Sequence, residues 1–266
     1  MKCATTSLHY YLDAHPDIYM SSVKELNFFS TEWHRGHAWY AQQFSGRHAC
    51  NGESSPGYSA DPLFPGVPLR MHAVVPSAKL VYLVRDPIDR MVSHFVHDTV
   101  RGKEHRDLET ALLASEPNDY LIRSRYGYQL SRYTPYYPTD RILIVETEKL
   151  ATQQRAELRR LFTFFGVDPD VSRLRFRFHY HAGRRRRLTP RGIRLASSPA
   201  ADLVRAMPPW ARGPISRAVA FPFTRPYVRP ELSPALLSTL RARLRADTLF
   251  FREQTGVSLK LGGEAP

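Results

Sequence analysis

Two short apolar runs, each leading into a polar segment, place the strongest constraint on the fold of this chain. The first is Leu80–Val84, followed at once by Arg85, Asp86 and Pro87, and the second is Ile142–Val145. Consecutive apolar positions indicate strands that are buried on both faces, as in parallel sheets covered by helices. Helical spacing follows each run, over 88–100 and about 152–165. The sequence therefore predicts an α/β fold with a central parallel sheet flanked by helices.

The rest of the chain adds shorter predicted elements around these strands. We predict helices over 5–14, 107–114 and 234–255, more helix around 119–136, a strand over 18–20 and a loop over 51–68. No internal repeat or long low-complexity tract divides the chain. We therefore predict one domain over 1–266, with an irregular Arg- and Pro-rich lobe at about 170–230.

The charge of the chain is concentrated in that lobe. The formal net charge is +13, and 175–229 alone contains thirteen arginines against the single acid Asp202. Such a balance suggests nucleic acid, an anionic membrane or an anionic small molecule as partner. Because the lobe lacks the regular aromatic interleaving of stacking platforms, we expect no nucleic acid and keep peripheral membrane contact as an option.

Cysteine and hydropathy patterns point to a cytoplasmic, reducing setting, with peripheral membrane contact still open. Cys3 and Cys50 are too few for a disulfide framework or a zinc site, so we expect no metal. The sequence contains no run of about 18 apolar residues and no signal-peptide pattern, so we expect neither a membrane span nor secretion.

The first candidate site is the turn at the start of the chain. Lys2, Cys3 and Ala4 precede Thr5, Thr6 and Ser7 at the beginning of the first predicted helix. Small residues let an oxyanion approach the unpaired N–H groups of a helix N-terminus, and lysine adds a positive charge. The order differs from a Walker A motif, in which lysine directly precedes the hydroxyl residue. The alternative is an ordinary helix cap beside an unstructured lysine.

Two further segments could complete a site with this turn. Arg85 follows a buried strand, where open α/β sheets bind ligands, and Ser93 lies about two helical turns later. The alternative is that Arg85 only pairs with Asp86 or Asp89. Lys24 and Glu25 precede two aromatic residues and could act as a charge stabiliser and a general base, or could form a solvated turn.

Together these segments resemble the sulfotransferases that depend on 3′-phosphoadenosine 5′-phosphosulfate (PAPS), most closely the bacterial and heparan-sulfate N-sulfotransferase-like branch. The resemblance implies a P-loop-like domain and transfer of a sulfuryl group to a hydroxyl or amine, without a metal. It implies cofactor binding by residues 2–7, by Arg85 with Ser93, and by Tyr126. It also implies that Glu25 is the catalytic base, with Lys2, Lys24 and His97 as helpers.

Two other matches depart from the family pattern. Glu53 to Tyr58 resembles the family's substrate-binding loop, but Ser54 occupies the position of its lysine. Gly183, Arg184 and Arg185 resemble a late loop that folds over the cofactor, but Ala182 occupies its lysine position. We therefore predict Glu53 and Tyr58 as acceptor ligands and residues 183–185 as cofactor ligands, without carrying over a glycan specificity.

The resemblance predicts an enzyme with PAPS as co-substrate and PAP as product. The acceptor could be a carbohydrate, a glycolipid, a lipid or another small molecule, and the sequence does not specify the oligomeric state. Alternative functions are a P-loop nucleotide kinase and a non-enzymatic binding protein for anionic membranes or nucleic acid that uses the basic lobe. In the family a buried strand precedes the first loop, whereas only Met1 precedes it in this sequence. We therefore expect a gap in the sheet, with weak cofactor binding or poor folding, and we expect an upstream extension to restore both.

Overall fold

The structure is a computed structural model that describes residues 2–172, 186–188, 198–199, 222, 224–226 and 228–263. The chain forms two compact units. The first comprises Met1–Met91, Ser115–Tyr180 and Ser233–Pro266, and the second comprises Val92–Ala114 and His181–Leu232.

Helices and strands alternate along the chain. Their bounds are α1 Thr5–Asp13, β1 Ile18–Met20, α2 Gly36–Ala41, β2 Cys50–Gly52, α3 Val67–Val74, β3 Leu80–Val84, α4 Pro87–Val100, α5 Leu108–Leu113, α6 Asp119–Ile122, α7 Tyr126–Ser131, β4 Ile142–Glu146, α8 Thr147–Thr152, α9 Gln154–Phe165, β5 Arg186–Leu188, β6 Thr224–Pro226 and α10 Pro234–Thr255. Short 3₁₀ turns cover Trp33–Arg35, Pro56–Tyr58 and Thr139–Arg141.

The first unit contains two pairs of parallel strands. β1 pairs with β2 and β3 pairs with β4, the latter in register from Leu80 opposite Ile142 to Val84 opposite Glu146. Side chains of β1 and β4 share one buried cluster with α1 and α9. This arrangement confirms the predicted α/β class. The described parallel strands form two hydrogen-bonded pairs instead of one continuous sheet.

The observed elements differ from the predicted ones mainly in the segments that connect β1, β3 and β4. β1 and α10 have the predicted bounds, whereas α2, α3 and the short β2 were not predicted. The helix expected around 119–136 is interrupted between α6 and α7. Ser124 in this interruption is fully buried, donates to the Pro87 carbonyl at 3.0 Å and accepts from Arg90 Nε at 2.6 Å. Arg90, also fully buried, donates to the Tyr120 carbonyl as well. These tertiary bonds explain the break.

Helix α10 holds the N-terminus of α7 through one carboxylate. The N–H groups of Gly127 and Tyr128 donate to the Asp247 carboxylate at 3.0 and 2.7 Å. Burial raises the pKa of Asp247, although these two bonds act in the opposite direction. A carboxylate here complements the unpaired N–H groups and the positive end of the α7 dipole.

The residues after α10 return to the loop that follows β3. The Gly263 N–H donates to Asp86 Oδ2 at 2.9 Å, while Asp86 Oδ1 accepts from the N–H groups of Ile88 and Asp89 at the start of α4. Leu259 and Leu261 are buried, and Arg241 Nε donates to the Leu261 carbonyl at 3.0 Å. The end of the described chain is therefore attached to the segment that carries Arg85.

The second unit contains the later turns of α4, α5 and an antiparallel pair in which β5 lies beside β6. Within it, His94 Nε2 lies 3.2 Å from Asp98 Oδ2. Most of the basic lobe at about 170–230 lies outside the described residues. One domain over 1–266 therefore stays a prediction. No helix in the described ranges is long and apolar enough to cross a membrane.

Candidate functional site

The turn before α1 has the backbone geometry of an anion cradle. Lys2 and Ala4 adopt left-handed conformations, with φ of 68° and 55°. Ala4 is the N-cap of α1 and makes no side-chain cap bond, and the first turn of α1 contains no acidic residue. A turn of this kind directs successive N–H groups toward one point, where the helix dipole also favours an anion. The first turn of α1 thus suits a phosphate or phosphosulfate group.

Arg85 connects this turn to the loop after β3. Its Nη1 donates to the Lys2 carbonyl at 3.3 Å, across 83 positions of sequence. Its Nη2 also lies 3.4 Å from Asp89 Oδ2, and its Nε lies 4.0 Å from Glu148 Oε1. Arg85 therefore pairs with acids and also contacts the first turn, and its binding of a phosphate stays a prediction. Two of the predicted cofactor-binding segments lie against each other.

Tyr126 lies beneath the same turn. Its hydroxyl is 3.4 Å from Cys3 Sγ, and both side chains are buried. Burial raises the pKa of the Tyr126 hydroxyl well above its usual value. The ring meets that of Tyr82 edge to face, with centroids 5.8 Å apart. In this arrangement Tyr126 supports the turn from the core, and its direct contact with a cofactor stays a prediction.

Lys24 and Glu25 form an ion pair in an unusual turn. Lys24 Nζ lies 2.7 Å from Glu25 Oε1, and 48% of the Glu25 side chain is exposed. Glu25 and Asn27 have φ of 65° and 53°, and Asn27 Nδ2 donates to the Glu25 carbonyl at 3.0 Å. Left-handed backbone at residues other than glycine is sparsely populated and is common at functional sites. The Glu25 carboxylate is accessible to solvent.

His9 is a residue of this region that the sequence analysis did not identify. It lies on α1, is 4% exposed, and has Nδ1 3.2 Å from Ser54 Oγ. Its pKa is lowered, chiefly by burial and then by the positive charge of Lys24. His9 therefore joins α1 to the loop at 53–58, and the positive charge of Lys24 acts on it. The only signal in the sequence was its helical spacing from Thr5, four positions earlier.

The loop predicted to bind the acceptor is centred on a half-buried carboxylate. Glu53 Oε1 accepts from the hydroxyls of Tyr58 and Tyr40 at 2.7 and 3.1 Å, and Oε2 accepts from Ser55 at 2.6 Å. Burial raises the pKa of Glu53, although the three hydroxyl donors act in the opposite direction. Both carboxylate oxygens thus already have partners within the protein.

The remaining predicted residues lie in the second unit or outside the described part. Ser93 and His97 lie on α4 four positions apart, so they share a helix face; Ser93 is 8% exposed and His97 is half-buried. Gly183, Arg184 and Arg185 lie outside the described residues. Across the described ranges, no group of three or more His, Cys, Asp or Glu side chains is arranged to hold a metal ion.

The described site combines a left-handed turn at a helix N-terminus, an arginine that contacts it and a partly exposed carboxylate. Comparison with known proteins identifies the family of the chain, because the sulfotransferase domain family matches residues 1–181. The chain belongs to this family, which confirms the predicted resemblance.

Several curated proteins are similar to the chain. The bifunctional heparan sulfate N-deacetylase/N-sulfotransferase 2 of Homo sapiens is 28% identical over 190 residues, which cover 63% of this chain and 21% of that protein. The heparan sulfate glucosamine 3-O-sulfotransferase 5 of Mus musculus is 27% identical over 197 residues, which cover 68% and 56%. The chain thus spans about a fifth of the first relative's length and about half of the second's.

Two other similarities concern a shorter segment and the fold. The membrane-associated sulfotransferase kil1 of Dictyostelium discoideum is 35% identical over 100 residues, covering 36% of this chain and 21% of that protein. The crystal structure of a sulfotransferase from Alicyclobacillus acidocaldarius superposes with a TM-score of 0.69 at 21% identity, covering 97% of this chain and 93% of the other. This structural similarity confirms the fold class.

Proposed function

We propose that this protein transfers a sulfuryl group from PAPS to a hydroxyl or amine of a carbohydrate, glycolipid or small-molecule acceptor. The contact between Arg85 and the Lys2 carbonyl carries the proposal, because it joins the two segments expected to bind the two ends of one anionic nucleotide. The left-handed turn at Lys2 and Ala4 and the uncapped start of α1 suit the 5′-phosphosulfate. The family resemblance assigns Arg85, Ser93 and residues 183–185 to the 3′-phosphate.

The residues of the chain would act mainly by positioning and by charge stabilisation. Bound PAPS supplies an activated sulfuryl group attached to its 5′-phosphate. Glu25 takes the proton of the acceptor hydroxyl as the new oxygen–sulfur bond forms. Lys2 neutralises the charge that develops on the phosphate oxygen as the old bond breaks. The 2.7 Å bond from Lys24 fixes the orientation of the Glu25 carboxylate, and His97 is a further candidate helper.

The relatives named for heparan sulfate make a carbohydrate the first acceptor to test. Because Ser54 replaces the family's lysine in the acceptor loop, the range of acceptors should be determined by experiment, with lipid and small-molecule hydroxyls in the same panel. The membrane-associated relative supports a test of binding to anionic liposomes at low salt, alongside the proposed cytoplasmic location.

The direct test is transfer of label from PAPS to this acceptor panel, preceded by a thermal-shift comparison of PAP with ATP. We expect PAP to stabilise the protein, because a ligand that binds the folded state in preference to the unfolded state raises the melting temperature. Stabilisation by ATP without any effect of PAP would favour a nucleotide kinase instead.

The catalytic role of Glu25 can be tested with a matched pair of variants. Glu25→Gln should lower turnover by about 100-fold or more while leaving PAP affinity nearly unchanged, because general-base catalysis contributes about 10²–10⁴-fold. Glu32→Gln is the control, since Glu32 also forms a 2.7 Å ion pair at the surface, with Arg35. Equal turnover in the two variants would remove Glu25 from the role of base.

A further inference from the structure

Glu53 is the centre of a hydrogen-bond cluster formed with the hydroxyls of Tyr40, Ser55 and Tyr58. The carboxylate accepts a hydrogen bond from each of the three hydroxyls, at oxygen–oxygen distances of 2.6–3.1 Å. A carboxylate is an acceptor-only group when ionised, so it fixes the direction in which each of these hydroxyls points. With their protons directed at Glu53, the hydroxyl oxygens present their lone pairs elsewhere.

Two of the three hydroxyl oxygens accept hydrogen bonds from backbone N–H groups in the segment that follows the Lys24–Glu25 pair. Ser55 Oγ accepts from the Asn27 N–H at 2.9 Å, and Tyr58 Oη accepts from the Phe29 N–H at 3.4 Å. The Tyr40 hydroxyl contacts Glu53 from a helix, α2, whose residues follow this segment in the sequence. The carboxylate therefore connects, in two steps, to the turn that carries Glu25.

The turn needs such external bonds because its own backbone is unfavourable. Glu25 and Asn27 both have positive φ, and positions of this kind persist only where the surrounding structure determines them. The bond of Ser55 to the Asn27 N–H is made at the second of these residues. Gly57 of the same loop also leaves little space, since a Cβ there would lie 3.3 Å from Asn27 Oδ1. The loop at 53–58 thus holds the turn by hydrogen bonds and by close packing.

We propose that Glu53 is a positioning residue for the transfer reaction, which acts through Ser55 and Tyr58 to hold the Glu25 carboxylate at its working position. This role is distinct from the acceptor contact that the sequence analysis assigned to Glu53, which stays a prediction, and it uses three bonds of the carboxylate within the protein. The inference rests on the proposed function, in which Glu25 receives the acceptor proton.

Two variants distinguish positioning from general stability, because each removes one of the hydroxyls that donate to Glu53. Ser55→Ala removes the bond to Glu53 and the bond to the Asn27 N–H, whereas Tyr40→Phe removes only a bond to Glu53. We expect Ser55→Ala to lower kcat by about 10-fold or more with little change in PAP affinity, because small misplacement of a catalytic group is costly. Tyr40→Phe should change kcat less than about threefold, and Ser55→Thr, which keeps the hydroxyl, should restore most of the activity.

Hydrogen exchange of the Asn27 amide gives a second measurement that does not depend on activity. Ser55→Ala should speed exchange at this amide by about 10-fold or more relative to Tyr40→Phe, because local opening of the turn becomes easier. Unchanged exchange would overturn the positioning role. Equal losses of kcat in Ser55→Ala and Tyr40→Phe would overturn it too, as would a rise only in the acceptor KM. If the wild-type protein transfers no label, the proposed function fails, while the exchange experiment still decides whether the Ser55 hydroxyl, held by Glu53, restrains this turn.

Discussion

Replacing Gly127 with alanine should separate α7 from α10, because the two helices meet at this residue without space for a side chain. A Cβ at this position would lie 2.7 Å from the Asp247 carbonyl oxygen, 2.9 Å from Phe250 Cδ1 and 3.1 Å from the Phe251 nitrogen. Ordinary contact begins at 3.4 Å, so the backbone of α10 must move by about 0.7 Å. Two of the three obstructing atoms are backbone atoms, which cannot rotate away.

The expected loss of stability follows from these contacts. Overpacking of a tight site costs about 1–3 kcal/mol. The same movement lengthens the bonds from the Gly127 and Tyr128 N–H groups to the Asp247 carboxylate, and bonds to a charged group contribute about 1.5–3 kcal/mol each. Allowing for partial relaxation, we expect a total of roughly 2–4 kcal/mol, or about 5–12 °C in melting temperature for a chain of this size.

Urea unfolding and thermal scans of Gly127→Ala should be compared with Gly46→Ala. A Cβ added at Gly46 would meet no heavy atom within 4 Å, and this glycine has no positive φ, so its substitution should change stability by about 0.5 kcal/mol or less. Equal stability of the two variants would refute this account of the α7–α10 contact. Because Tyr126 adjoins Gly127 and contacts Cys3, Gly127→Ala should also weaken PAP binding.

Two further predictions concern the charges around the site. Arg85→Gln should weaken PAP binding by about 10–100-fold, as measured by calorimetry, because charge-assisted bonds to phosphate are strong. Arg35→Gln, the control, should bind PAP as the wild type does. Equal dissociation constants of the two variants would remove Arg85 from the site. Because the folded protein holds His9 with a pKa below 6.5, the unfolded state binds more protons, and stability should fall as pH drops below about 6.5. His9→Gln should reduce this slope by up to about 1.4 kcal/mol per pH unit in urea unfolding between pH 5 and 7.5, and an unchanged slope would contradict the assignment.

The elements that the sequence predicted well are those determined by local pattern. The run Leu80–Val84 and the amphipathic helix Pro234–Thr255 formed as expected, because their spacing and flanking residues suit one structure only. The break between α6 and α7 was not predictable, since it depends on Arg90 reaching Ser124 from 34 positions away. Propensity alone extends a helix through that segment.

In the candidate site, too, local features could be predicted from the sequence, whereas contacts between distant segments could not. The residue types of the turn at Lys2 and of the Lys24–Glu25 pair could be recognised in sequence, and the structure gives both a left-handed backbone. The contact between Arg85 and the Lys2 carbonyl could not be predicted from either segment alone. The cluster around Glu53 was missed because a carboxylate that binds three hydroxyls looks the same in sequence as one that faces solvent.

The attachment of Lys2 and Gly263 to neighbouring residues connects two segments that are distant in sequence. Lys2 contacts Arg85 through its carbonyl, and Gly263 contacts Asp86 through its N–H. The loop after β3 is therefore a common anchor for the turn before α1 and for the segment after α10. A change in the backbone of this loop should displace both segments together, although most of the chain lies between them in sequence.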